Sequence, residues 1–236
     1  MNNEVILITG GTSGYGKATA SQFVKEGYSV IITGRDKKKL EDIAKEIGAD
    51  SFVADATNPK DWDNLVQYVK NKYGHLDLLL NNAGGGVAIK NVEDQSIEDI
   101  DRSIMLNLNS VIYGCRAFAP LFSEQKGGTI INTSSVCAKH AWNGWSVYAA
   151  AKVGVLGFTK GLATELGPLG VRVTCLVPGA GATNFDKNAN FTERGSIPAL
   201  KAENIAEAIV SIYRLPKHVW VEEMTVWGID QVVIPL

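Results

Sequence analysis

The 236-residue sequence predicts an α/β fold, a doubly wound parallel sheet of about seven strands with helices on both faces. Three observations predict it. Short apolar, β-branched runs alternate with longer amphipathic stretches along the chain. Most of the short runs are apolar throughout, as strands covered on both faces by helices should be. The first of them passes straight into a glycine-rich turn and then a helix. Alternation of this kind implies right-handed crossovers and places the active crevice at the carboxyl ends of the strands.

In chain order, the expected strands are Val5 to Thr9, Ser29 to Thr33, Ser51 to Ala54, Leu76 to Leu80, Thr129 to Thr133, Val171 to Val177 and a last one near Val219 to Val226. The amphipathic stretches Gly16 to Gly27, Lys37 to Ile47, Pro59 to Tyr73, Ser96 to Ser123, Tyr148 to Leu166 and Ala202 to Leu215 read as helices. No repeat, low-complexity tract or linker interrupts them, so residues 1–236 are expected to form a single domain.

Composition narrows the function classes. Lys and Arg number 23 against 25 Asp and Glu, and the densest basic cluster is only Lys37-Lys38-Lys39. A nucleic-acid partner would need a basic face, so none is expected. The three cysteines, Cys115, Cys137 and Cys175, are odd in number and scattered. They suit a reducing compartment and have no metal-ligand spacing, so no metal is expected. No run approaches the ~20 apolar residues of a membrane span, and the start of the chain lacks a signal peptide. The expectation is a cytoplasmic protein with a small-molecule partner and no membrane association.

Two motifs carry chemistry. Tyr148 and Lys152 are four residues apart, about one helical turn, so on a helix they share a face. An ammonium beside a phenol favours the phenolate and should lower its pKa. At the other end of the chain, the first strand enters Thr9-Gly10-Gly11-Thr12-Ser13-Gly14-Tyr15-Gly16. A glycine-rich strand-to-helix turn lets backbone N–H groups and a helix N-terminus approach a pyrophosphate, as in a Rossmann-type dinucleotide site.

The glycine spacing Gly10, Gly14, Gly16, with Tyr148-x-x-x-Lys152, resembles the short-chain dehydrogenase/reductase family. Nearly the whole chain shares the resemblance. Asn81-Asn82-Ala83-Gly84 follows the fourth strand, Ser135 precedes Tyr148 by 13 positions, and Asn107 lies in the long helix between. Pro178-Gly179-Ala180-Gly181-Ala182-Thr183 follows the sixth strand.

The resemblance implies a hydride transfer between a nicotinamide cofactor and a small ketone, aldehyde or secondary alcohol. Tyr148 would be the general acid in reduction and the base in the reverse direction. Lys152 would lower its pKa and hydrogen-bond the nicotinamide ribose. Ser135 would bind the substrate oxygen, and Asn107 would hold a water in a proton relay behind Lys152. Thr12, Ser13, Gly14 and Tyr15 in the turn would face the cofactor, as would Asn82, Ala83, Gly84, Pro178, Gly179, Gly181 and Thr183. Without the resemblance, a turn-capping Ser135 and an Asn107 satisfying buried backbone are the simpler readings.

The second strand ends Thr33-Gly34-Arg35-Asp36, and two readings compete there. A generic dinucleotide site wants an acid near this place for a ribose hydroxyl, and Asp36 is close. The family's NAD-type acid would stand at Gly34, whereas Arg35 suits the 2′-phosphate of NADP, a good partner for a guanidinium. Asp36 then reads as a helix N-cap. NADP(H) is therefore expected over NAD(H), although Ser13 is not the basic residue many NADP-type members carry there. Asp55, with Ala56 beside it, matches the family's adenine-contacting acid. The alternative for Asp55 is a cap on the next helix.

Cys137, His140, Trp142 and Trp145 lie between Ser135 and Tyr148. The two tryptophans suit an apolar substrate wall, a subunit contact or core equally well. Cys137 reads as a small buried hydrophobe and His140 as a surface or hydrogen-bonded residue. The polar stretch 184–197 occupies the family's substrate-lid position. The C-terminal segment loosely resembles the NADP-dependent 3-hydroxy acid (serine) dehydrogenases, yet Arg194 is the nearest candidate for a carboxylate clamp. An NAD(H)-dependent alcohol or hydroxysteroid-type dehydrogenase is the alternative, with a non-catalytic NADP-binding sensor as a further class. A homotetramer, or a homodimer, is implied. Ala117, Phe118, Leu121, Ala150, Val153, Leu156 and Phe158 could pack between subunits or cover the sheet.

Overall fold

A computed structural model describes residues 3–181 and 200–231. In chain order it contains β1 (Val5–Ile8), α1 (Gly14–Lys25), β2 (Ser29–Gly34), α2 (Lys37–Ile47), β3 (Asp50–Val53), α3 (Pro59–Tyr73) and β4 (Leu78–Asn81). There follow α4 (Ile97–Ile104), α5 (Ser110–Gln125), β5 (Gly128–Thr133), α6 (Ser146–Leu166), β6 (Val171–Pro178), α7 (Ala202–Arg214) and β7 (Glu223–Val226). The seven strands form one sheet in the order β3-β2-β1-β4-β5-β6-β7, every pair parallel. The chain walks outward from β1 to β3, then returns to place β4 on the other side of β1. That reversal opens a crevice above the carboxyl ends of β1 and β4.

Strand apolarity follows from this layering. In β1 all four residues are buried, and Val5 and Leu7 join one core while Ile6 and Ile8 join the other. The first core packs Trp62, Leu65, Phe118 and Val155 from α3, α5 and α6 on one face. The second packs Phe23, Leu40, Ile205 and Ile209 from α1, α2 and α7 on the opposite face. A strand buried on both faces has no polar side to alternate with.

Local chemistry sets several boundaries. Asp36 caps α2 by accepting from the Lys39 N–H at 3.0 Å. Asn58 caps α3, with Pro59 in its first turn. Arg172 of β6 is buried and donates to the Tyr213 and Leu215 carbonyls at 2.9 and 3.0 Å, which ties down the end of α7.

The structure departs from the expected elements in three places. The helix expected over Ser96 to Ser123 is divided by a π-helical turn at Met105–Asn109. That wider turn lets the Asn107 side chain satisfy both the N–H and the C=O of Gly85, each at 2.9 Å. The fourth strand starts at Leu78 because Leu76 is held at both backbone groups by Gln125. The last strand starts at Glu223, since Val219 and Val221 give their carbonyls to the side chains of Arg172 and Thr174 instead of a ladder.

Candidate active site

Over the carboxyl ends of the strands lies a cavity of about 1680 Å³. Its floor begins with the turn after β1. Gly10 and Gly14 have φ of +67° and +52°, left-handed conformations that other residues rarely take. A Cβ on Gly16 would stand 2.3 Å from the Gly10 carbonyl, so the turn closes on the helix only with glycine there. Asn82 braces this turn from β4, its amide donating to the Thr9 carbonyl at 3.0 Å. The Thr9 hydroxyl in turn accepts from the Asn82 and Ala83 N–H groups. Ser13 precedes α1 without a side-chain cap, and Thr12, Ser13, Gly14 and Tyr15 all line the cavity.

At one end the cavity is lined by Thr33, Gly34, Arg35, Asp36, Lys39, Asp55, Ala56 and Thr57. A Cβ on Gly34 would meet the Thr12 methyl at 2.8 Å, so an acid at that position has no room without moving Thr12. Arg35 is exposed. Asp55 caps no helix; Asn58 does. The Asp55 carboxylate instead accepts from the Thr57 N–H and hydroxyl at 2.9 and 2.7 Å.

At the other end stand Ser135, Tyr148 and Lys152. Ser135 follows β5 and Tyr148 lies in the first turn of α6, with the Ser135 hydroxyl near enough to act on the phenol. The Ser135 hydroxyl also accepts from the Cys137 N–H at 3.2 Å. One turn further along α6, the Lys152 ammonium donates to the Thr133 carbonyl at 3.0 Å and lies 5.7 Å from the centre of the Tyr148 ring. Asn107 is fully buried and does not line the cavity. It meets Lys152 at Gly84, where a Cβ would lie 3.1 Å from the Asn107 carbonyl oxygen and 3.5 Å from the ammonium nitrogen. Gly154 lets α6 approach the π-turn, since a Cβ there would touch Leu108 at 2.9 Å.

The electrostatics of the pair differ from the sequence expectation. Burial pushes the Tyr148 phenol well above its ordinary value, the neighbouring Cys137 adding to this and Ser135 opposing it. Burial also pushes Lys152 down to about 8. The net shift of the phenol is therefore upward, although the Lys152 ammonium lies one turn away. Desolvation of both groups outweighs their mutual attraction. Tyr148 is thereby kept protonated, as a proton donor must be. The Cys137 thiol is raised to about 11 by burial, which makes it an inert neighbour.

The segment after β6 closes the cavity with Pro178, Gly179 and Gly181. Gln231 accepts from the Ala180 N–H at 2.9 Å and lines the cavity beside it. Thr183, the stretch 184–197 and Arg194 lie outside the described residues. Trp145 sets its ring edge against Tyr148, centroids 5.6 Å apart. Trp142 packs on Val136, Cys175 and Val177, and His140 rests between Trp142 and Trp227. Sequence reasoning missed Lys39 and Gln231 as cavity residues. Lys39 carried a usable signal, one turn into the helix after Arg35; Gln231 carried none.

The family model described as short chain dehydrogenase matches residues 4–194. An uncharacterized oxidoreductase of Staphylococcus aureus is 33% identical over 229 residues, which is 96% of this chain and 97% of that protein. The solved structure of a serine dehydrogenase complexed with NADP+ superposes with a TM-score of 0.93 at 29% identity, over 98% of each chain. A 3-ketoacyl-(acyl-carrier-protein) reductase from Brucella melitensis, complexed with NADH, has a TM-score of 0.88 at 35% identity, over 94% of this chain and 96% of that one.

Proposed function

The chain belongs to the short chain dehydrogenase family and is a nicotinamide-dependent oxidoreductase, and we propose that it uses NADP(H) to reduce a small ketone or aldehyde. One observation carries this reading: the hydroxyls of half-buried Ser135 and buried Tyr148 and the buried Lys152 ammonium line one end of a cavity floored by the glycine turn. The residues fit such a cofactor. The close approach of Gly16 to Gly10 leaves the first turn of α1 open to phosphate, and Gly84 keeps backbone low beside Lys152.

When bound, the cofactor would supply the hydride for the carbonyl carbon. Ser135 and Tyr148 donate hydrogen bonds to the carbonyl oxygen as negative charge develops on it. Tyr148, neutral because it is buried, then gives up its proton to that oxygen. Lys152 would hold the nicotinamide ribose and supply positive charge beside the phenolate that remains. Asn107 fixes the Gly85 backbone and so the floor beneath Lys152; a water relay behind Lys152 remains part of its proposed role.

NADP over NAD is supported by Arg35 at the cavity rim, by Lys39 one turn later, and by the collision an acid at Gly34 would make with Thr12. The relative complexed with NADH keeps NAD(H) as the second reading. Within the proposed site, Asp55 and Ala56 would hold the adenine end of the cofactor, and Pro178, Gly179 and Gly181 its nicotinamide end. We further propose one domain, a cytoplasmic location consistent with three free buried cysteines, and a homotetramer. Ala150 and Val153 are exposed on α6 and suit a subunit contact, whereas Phe118 and Leu121 are in the core. Light scattering tests the assembly: a tetramer mass is expected, and a monomer contradicts it. The function is tested by following NADPH and NADH oxidation against a panel of small ketones and aldehydes. Turnover with NADPH is expected; cofactor binding with no turnover of any carbonyl overturns the reading.

A further inference from the structure

The half of the cavity beyond Ser135 and Tyr148 has a composition of its own. Val87 and Ile89 from the loop after β4, Met105 and Leu106 from the π-turn, and Trp142 and Trp145 from the loop before α6 all line it. The two loops brace each other. Gly144, at φ +79°, lies where a Cβ would stand 3.3 Å from the Lys90 backbone, so this wall is packed in place. Trp142 has its apolar backing in Val136, Cys175 and Val177 and still reaches the cavity. Trp145 touches Tyr148, so a group resting on the Trp145 ring is held next to the proton donor.

Charge in this half is confined to the rim and is mutually neutralised. Lys90 and Arg102 are the exposed cations there, and both lie near the same carboxylate, Asp99, at 3.5 and 3.7 Å. Asp94 and Asp101 add further negative charge around them. Among the described residues, a carboxylate substrate would therefore meet an acid-rich rim and apolar walls. A flat apolar group would instead gain contact with two indole rings.

From this we propose that the substrate is a ketone bearing an apolar, aryl-type substituent held by Trp142 and Trp145. The proposal rests on the reductase reading of the same cavity and adds its substrate class. It separates this chain from the serine dehydrogenase it superposes on, despite the near identity of fold.

The test compares NADPH-dependent reduction of acetophenone with that of acetoacetate, and NADP+-dependent oxidation of L-serine. Acetophenone is expected to show a kcat/KM at least about tenfold above acetoacetate, the worth of one well-packed aromatic contact. Trp145→Leu and Trp142→Leu should each raise KM for acetophenone several-fold. Trp142, whose ring is tilted against His140, where Trp145 is the one against Tyr148, separates loss of binding from disturbance of the acid. Calorimetry of acetophenone binding to the NADP+ complex gives a readout independent of turnover, and the dissociation constant should rise by a similar several-fold factor in both variants. Preference for acetoacetate or serine overturns the substrate class and leaves the reductase intact. Binding of acetophenone without turnover of any ketone leaves the apolar pocket intact and sinks the reductase. An unchanged acetophenone KM in both variants removes the tryptophans from recognition.

Discussion

The phenol of Tyr15, in the turn after β1, rests on Gly181, more than half the chain away: a Cβ on Gly181 would lie 1.7 Å from the Tyr15 hydroxyl oxygen. The contact joins the glycine turn to the segment after β6 across the cavity. Gln231 holds the same segment from the other side through the Ala180 N–H. The two segments that line this part of the cavity are thus joined by side chains.

Gly181→Ala should force Tyr15 out of place and weaken NADPH binding by about tenfold or more, the cost of overpacking a closed contact. Adding Tyr15→Leu to Gly181→Ala should recover most of the affinity. Fluorescence titration with NADPH checks both variants. Equal binding by Gly181→Ala and the wild type removes this contact from the cofactor site.

Arg35→Ala should weaken NADPH binding by roughly ten- to a hundredfold, the worth of a charge-assisted phosphate contact, and leave NADH binding nearly unchanged. The ratio of the two dissociation constants is the quantity to measure. If it does not move, the cofactor assignment is wrong.

Lys152 provides a pH signature. Its pKa is about 8 in the fold against 10.5 for the free side chain. Below about pH 8 both folded and unfolded chains carry this proton, and the full cost of burying the charge is present. Between about pH 8 and 10.5 the unfolded chain keeps a proton the folded one has lost, so stability rises with pH there. Relative to Lys152→Met, wild-type stability should therefore gain about 3 kcal/mol across that window. Urea unfolding of both proteins at pH 7.0 and pH 10.5 measures it. For catalysis, kcat/KM for NADPH should fall as pH rises through about 8, because the charged lysine is the form proposed to hold the ribose.

Arg172 supplies a prediction about stability alone. Arg172→Met leaves the Tyr213 and Leu215 carbonyls without their donor and should cost about 2–4 kcal/mol in unfolding free energy. It lies outside the cavity lining, so kcat should stay near the wild-type value. Chemical denaturation with a parallel assay checks both halves.

Much of the fold was legible because burial on both faces of a strand leaves a mark in composition, as in Val5 to Ile8. The turn at Gly10 to Gly16 and the spacing of Tyr148 and Lys152 were legible for a similar reason, since local geometry demands those residues at those offsets. What escaped depends on contacts between distant segments. The π-turn around Asn107 exists to meet Gly85, and inserting one residue into a helix scarcely alters an apolar pattern. Gln231 matters only because Ala180 lies beside it. The direction of the Tyr148 shift was misread because four-residue spacing shows proximity to Lys152 but not the burial that dominates both groups. Gly181 and Tyr15 were both recognised, but nothing in the sequence says that they touch.

The assignment of Tyr148 as the proton donor is tested most directly by Tyr148→Phe, assayed for NADPH oxidation with its best ketone alongside NADPH binding. The ring, its packing on Trp145 and the fold are retained, and only the hydroxyl near Ser135 is removed. Turnover should fall by about a hundredfold or more, the usual worth of a positioned general acid, with the NADPH dissociation constant little changed. Turnover at the wild-type rate would contradict the role given to Tyr148 and, with it, the reading of the whole site.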